Sequence, residues 1–163
     1  MLFIVVFAVS LLTATFFGHA IHWALHQRWS RVFNRAHMEH HCDLYPPGRL
    51  SSDKYRLPRW YHRGALLFTP PLLIILATAG GLLWLLGAPW WTLVVFGIVL
   101  IGFGLFNDAA HDTMHIRQYP LMKHRWYRNM RKLHYLHHVD MKTNFGIVSF
   151  TWDKVFRTFA DKR

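Results

Sequence analysis

His134-Tyr135-Leu136-His137-His138 repeats the spacing of an earlier stretch, His37-Met38-Glu39-His40-His41. On a helix, positions i, i+3 and i+4 share one face, so each stretch turns three imidazoles the same way. Two further pairs, His22 with His26 and His111 with His115, are spaced i, i+4 and present two imidazoles each. These histidines form two matched sets, one in each half of the chain. Imidazole is the commonest metal-ligating side chain, and packing alone does not call for this recurrence. A single ion takes about four to six ligands, so His22, His26, His37, His40, His41, His111, His115, His134, His137 and His138 predict a centre of two metal ions.

The 163 residues are one domain's worth, 53% hydrophobic and 17% aromatic, yet they carry a formal charge of +11. The charge is segregated. All 19 Lys and Arg fall within residues 28–63 and 117–163, and the apolar runs 1–17 and 65–106 lie outside those blocks. A bilayer core takes about 20 apolar residues per helix, so the runs read as membrane spans. The second run breaks at Gly87-Ala88-Pro89, followed by Trp90-Trp91, a hairpin tip suited to the membrane interface. Nucleic acid is excluded as a partner, because anionic lipid head groups account for charge placed beside apolar spans.

The expected fold is therefore all-α, one integral membrane domain over residues 1–163 with about three transmembrane helices near 1–21, 66–87 and 90–108. A histidine-rich helical cap comprises 22–63 and 111–163. With three spans both basic blocks share one side, which the positive-inside rule makes cytoplasmic. Residues 31–41 and 123–139 read as helices of that cap. Pro46-Pro47-Gly48 ends the first, Trp60 and Tyr61 anchor the interface, and Pro70-Pro71 falls in the first turn of the second span.

Carboxylates are scarce around the histidines, which excludes a ferritin-like carboxylate site with its Glu-x-x-His motifs. Asp112 and Asp140 are the candidates to orient imidazoles by accepting the second ring N–H. His19, His62 and His124 stand outside the repeated spacing and read as ordinary hydrogen-bonded core or interface residues. Cys42, the only cysteine, reads as a small buried thiol. Hydrolysis finds no Gly-x-Ser-x-Gly or His-Glu-x-x-His motif.

These residues resemble the membrane-bound fatty acid hydroxylase and sterol desaturase superfamily. The likeness lies in His22/His26, His37/His40/His41, His111/His115 and His134/His137/His138, ordered around a membrane hairpin. It extends to Tyr45-Pro46, Ser52-Asp53-Lys54-Tyr55-Arg56, Asn144-Phe145-Gly146 and Trp152 through Phe159. The resemblance implies two metal ions, iron in the usual assignment with zinc bound in some relatives. It also implies O2 as co-substrate and electrons from an external donor of ferredoxin or cytochrome b5 type with its reductase. The expected activity is hydroxylation of an acyl-chain or sterol-like C–H bond. A carotenoid ring hydroxylase and a lipid desaturase are the alternatives within that chemistry. A non-catalytic membrane metal-binding protein or transporter is the alternative outside it, disfavoured because residues 65–106 hold no charge or histidine.

Overall fold

The computed structural model describes residues 1–56 and 64–162. Among them there is no strand, only one isolated parallel bridge between Ser52 and Ile116. Six α-helices carry the architecture: α1 (Leu2–Leu25), α2 (Val32–Glu39), α3 (Gly64–Leu85), α4 (Trp90–Met114), α5 (Arg125–Val139) and α6 (Thr151–Val155).

In α1 the few hydroxyls turn back on their own helix. Ser10 and Thr13 donate to the carbonyls of Val6 and Val9, and Thr15 to that of Leu12. The helix thus satisfies its polar groups without water, as a membrane segment must. Ala14 of α1 packs with Phe96 and Leu100 of α4 and with Leu72, Ile75 and Leu76 of α3. The outer faces stay apolar and exposed, with Ile4, Ile74 and Ile98 each about two-thirds accessible. Only 17% of the apolar window of α1 and 22% of that of α4 is buried, which separates them from core helices of a soluble protein. Both are long and apolar enough to cross a membrane, whereas α3 contributes a shorter apolar stretch, Thr69–Leu85, among the described residues.

Pro70 and Pro71 lie inside α3 and not in its first turn. Apolar membrane-type helices tolerate such prolines when neighbours meet the freed backbone groups. The α3–α4 turn closes as a Schellman motif. Ala88 N–H donates to Leu83 O and Gly87 N–H to Trp84 O, with Gly87 at φ 67°.

Beyond the apolar helices lies the cap. The helix expected over 31–41 is α-helical only to Glu39, then widens into a π turn over His40–Leu44, closed by Tyr45 N–H on His40 O. π turns of this kind gather at functional sites. The aromatic–polar tail, which shows no clean period in sequence, contains the short α6. Its Trp152 donates to Thr15 of α1, tying the C-terminal segment to the first helix. Trp60, Tyr61 and His62 lie outside the described residues.

Gly87 has nothing within 4 Å of the position a Cβ would take. Gly87→Ala therefore adds backbone strain alone, about 1 kcal/mol. Thermal unfolding of detergent-solubilised protein should show a lowered midpoint, and an unchanged one would contradict the left-handed turn.

Candidate metal centre

The cap buries polar groups where a soluble core would bury apolar ones. His22 lies in the last turn of α1 and His26 caps it. His111 lies in the last turn of α4 and His115 caps that helix. The two apolar helices thus deliver their histidine pairs at their ends. Helix α2 with its π turn contributes His37, His40 and His41, and α5 contributes His134, His137 and His138.

The ten rings form two groups that could hold a metal ion. One comprises His22, His26, His37, His41 and His137, the other His40, His111, His115, His134 and His138. Within each group the ligating nitrogens all lie within 4.8 Å of one another. The groups are not the two halves of the chain. His40 leaves its own half for the second group, and His137 crosses to the first. Helical geometry explains the exchange. At 3.6 residues per turn, about 100° per residue, i and i+4 sit side by side while i+3 lies on their other flank. In each H-x-x-H-H stretch the i and i+4 rings enter one group, and the i+3 ring turns to the other.

Backbone carbonyls set the protons. His22 Nδ1–H donates to Phe145 O at 2.6 Å and His137 Nδ1–H to Thr143 O at 2.6 Å. In the second group His138 Nδ1–H donates to Tyr45 O and His115 Nδ1–H to Leu50 O, both at 2.8 Å. A neutral imidazole protonated at Nδ1 offers a bare lone pair at Nε2, so these four rings aim lone pairs inward.

His37 Nε2 stands 3.1 Å from His22 Nε2, 2.9 Å from His26 Nε2 and 3.1 Å from His41 Nε2. One nitrogen with a single proton or a single lone pair satisfies one such neighbour, not three. In the second group His115 and His134 meet at 2.9 Å through their Nε2 atoms, and the buried Nε2 of His40, His111 and His138 have no hydrogen-bond partner among the described residues. Inward-facing nitrogen donors in this number fit a first-row divalent cation and no protein partner.

Burial keeps these rings uncharged. Desolvation first and neighbouring imidazoles second hold His37, His40, His41, His115, His134 and His137 well below the ordinary histidine value. The same causes push His26 and His138 down to about 3. Neutral imidazole is the form a metal takes.

Aromatic walls enclose both groups. The Phe145 ring lies 5.6 Å from that of His137 and 5.7 Å from that of His26, while Tyr45 is fully buried and stacks on His115 at 3.9 Å. Carboxylates play less part than expected. The Asp140 carboxylate accepts from Lys142 N–H, not from an imidazole, and the Asp140 carbonyl holds the turn that presents Thr143. Asp112 lies 3.6 Å from His111 Nδ1, beyond hydrogen-bond length. Asp153, which spacing alone did not single out, is fully buried among Phe145, Gly146, Thr158 and His19. His19 is buried beside that carboxylate and His124 is exposed at the start of α5; neither joins a group. Cys42 is exposed, not buried, and also stands apart.

The sequence model of the family described as Fatty acid hydroxylase matches residues 7–158, nearly the whole chain. No curated protein and no solved structure matches it.

The depressed imidazoles make the metal-free protein acid-sensitive. An unfolded histidine binds its proton near pH 6.5, whereas folded His26 and His138 hold none until about pH 3. In that window the unfolded state carries more protons, so stability present above about pH 6.5 is lost as pH falls toward 3. Thermal unfolding of the metal-free protein across this range should show the decline, and a flat profile would contradict buried neutral rings.

Proposed function

The chain belongs to the fatty acid hydroxylase family, and from that premise we propose that it is an O2-dependent hydroxylase of a lipid C–H bond, acyl-chain or sterol-like. The supporting observation is the position of the two histidine groups. Gly18 and Asn107, one helical turn before His22 and His111, and Ile21, next to His22, line a narrow apolar cleft together with Phe17, Leu72 and Phe103 of the apolar helices. An apolar chain lying between α1, α3 and α4 brings one carbon toward the inward-facing nitrogens.

The ten histidines are the metal ligands, five to each of two ions. Iron is the metal of choice, because zinc has no redox chemistry, although zinc binds such nitrogen sets more tightly and can occupy them in preparations. Bound iron would supply the activation of O2, one oxygen atom entering the C–H bond and the other leaving as water. The electrons come from an external donor of ferredoxin or cytochrome b5 type with its reductase. The protein's own contribution is geometry. Carbonyls of Tyr45, Leu50, Thr143 and Phe145 fix ring tautomers, and the walls of Tyr45 and Phe145 exclude water.

In this reading α3 is the middle of three spans, so the basic segments on either side of α3–α4 share the cytoplasmic face. His137→Ala removes a ligand from the His22 group and should abolish both full metal loading and product. Lipid extracts of cells expressing wild type or variant, grown under isotopic O2, test this. Label in one lipid that vanishes in the variant supports the proposal, and the product separates hydroxylation from ring oxidation or desaturation. Wild-type levels of labelled lipid in the variant would overturn it.

A further inference from the structure

We propose that Asp153 is a positioning residue for the His22 group, acting on His22 through a single peptide unit; this rests on the reading of that group as a metal site. Asp153 Oδ2 accepts the Gly146 N–H at 2.8 Å, and the carbonyl of the same peptide unit, Phe145 O, accepts His22 Nδ1–H at 2.6 Å. The carboxylate charge, the peptide dipole and the imidazole are thereby in series. Charge at one end polarises the whole chain and makes His22 Nε2 a stronger donor. Metal-bound histidines commonly lean on a carboxylate directly, and here one peptide bond is interposed.

The surroundings commit Asp153 to this task. Its Oδ1 accepts Phe145 N–H at 2.7 Å and Thr158 Oγ1–H at 2.8 Å, and its side chain is fully buried. Burial raises its carboxyl pKa, but the His19 ring 3.5 Å away and hydrogen bonds from Thr158 and Gly146 outweigh that and hold it below the usual range. A Cβ at Gly146 would meet Ser149 O at 2.0 Å and Asp153 Oδ2 at 2.8 Å, so only glycine admits this approach. Asn144, at φ 52°, locks the loop from inside by bonding Leu133 O and Ala160. The loop's two committed carbonyls, Thr143 and Phe145, both serve the His22 group, and neither serves the other. Asp153 therefore acts on one metal site of the two.

Cobalt titration of the purified full chain in detergent tests this, read by d–d absorption and metal content. Wild type should take up two Co²⁺ per chain. In Asp153→Asn, affinity for one ion should fall about 10–100-fold, with a changed spectrum, while the other is unaltered. The same loss in a His134→Ala background assigns the weakened ion to the His22 group. Should Asp153→Asn fail to fold, Thr158→Val, which removes one bond to the carboxylate, decides instead through a smaller loss confined to one ion. Equal weakening of both ions, or none, overturns the inference. A wild-type chain that binds no Co²⁺ overturns the metal-site reading beneath it.

Discussion

One imidazole nitrogen can share a proton with one neighbour at about 3 Å, and this chain crowds its ring nitrogens in a dry interior beyond what their protons can serve. His22 and His137 donate their Nδ1 protons to backbone carbonyls, so their Nε2 atoms face His37 and His26 as bare lone pairs, and His37 Nε2 meets three ring nitrogens where one proton can serve only one. Burial forbids the remedy of protonation, since a charged imidazole there is costly. The arrangement is coherent as the receiver of cations. Much else in the cap serves that constraint: the π turn, the left-handed Asn144, the glycine at 146 and the aromatic walls all place a ring or a carbonyl around the two groups.

The exchange of His40 and His137 makes the halves of the chain interdependent. Four rings of each group come from one half and the fifth from the other. The carbonyls cross as well. Tyr45 and Leu50, which follow the first H-x-x-H-H, hold His138 and His115, while Phe145, after the second, holds His22 across 123 residues of sequence. Neither half completes a group alone, so the C-terminal segment is part of the centre's scaffold. Its anchorage to α1 through Trp152 and His19 has the same consequence.

The distribution of polarity follows from the two environments. On α1, α3 and α4 large apolar side chains face outward, and the hydroxyls of α1 fold back onto their own helix. In the cap the fully buried side chains include His41, His115, His134, His137 and His138. Helix termini join the regions, because His26 and His115 cap the two longest apolar helices.

Local periodicity determines what a helix looks like from one side, and that much was legible in the residues. The apolar runs, the hairpin at Gly87, the helices under each histidine stretch and the family resemblance all follow from patterns spanning a few turns. Such patterns blur angles: H-x-x-H-H reads as one face, though its i+3 ring stands about 100° from its i+4 ring. They are also silent on what approaches from a distant segment. Asp140 reads as a candidate to orient a ring, yet backbone carbonyls do that work, those of Tyr45, Leu50 and Phe145 reaching rings far along the chain, and Asp153 stands behind one of them. The sequence by itself determined that ten imidazoles would be presented at the ends and faces of helices around an apolar helical hairpin. Only the tertiary structure decided which five share a centre and which atoms hold their protons, because those depend on the packing of segments that no local period connects.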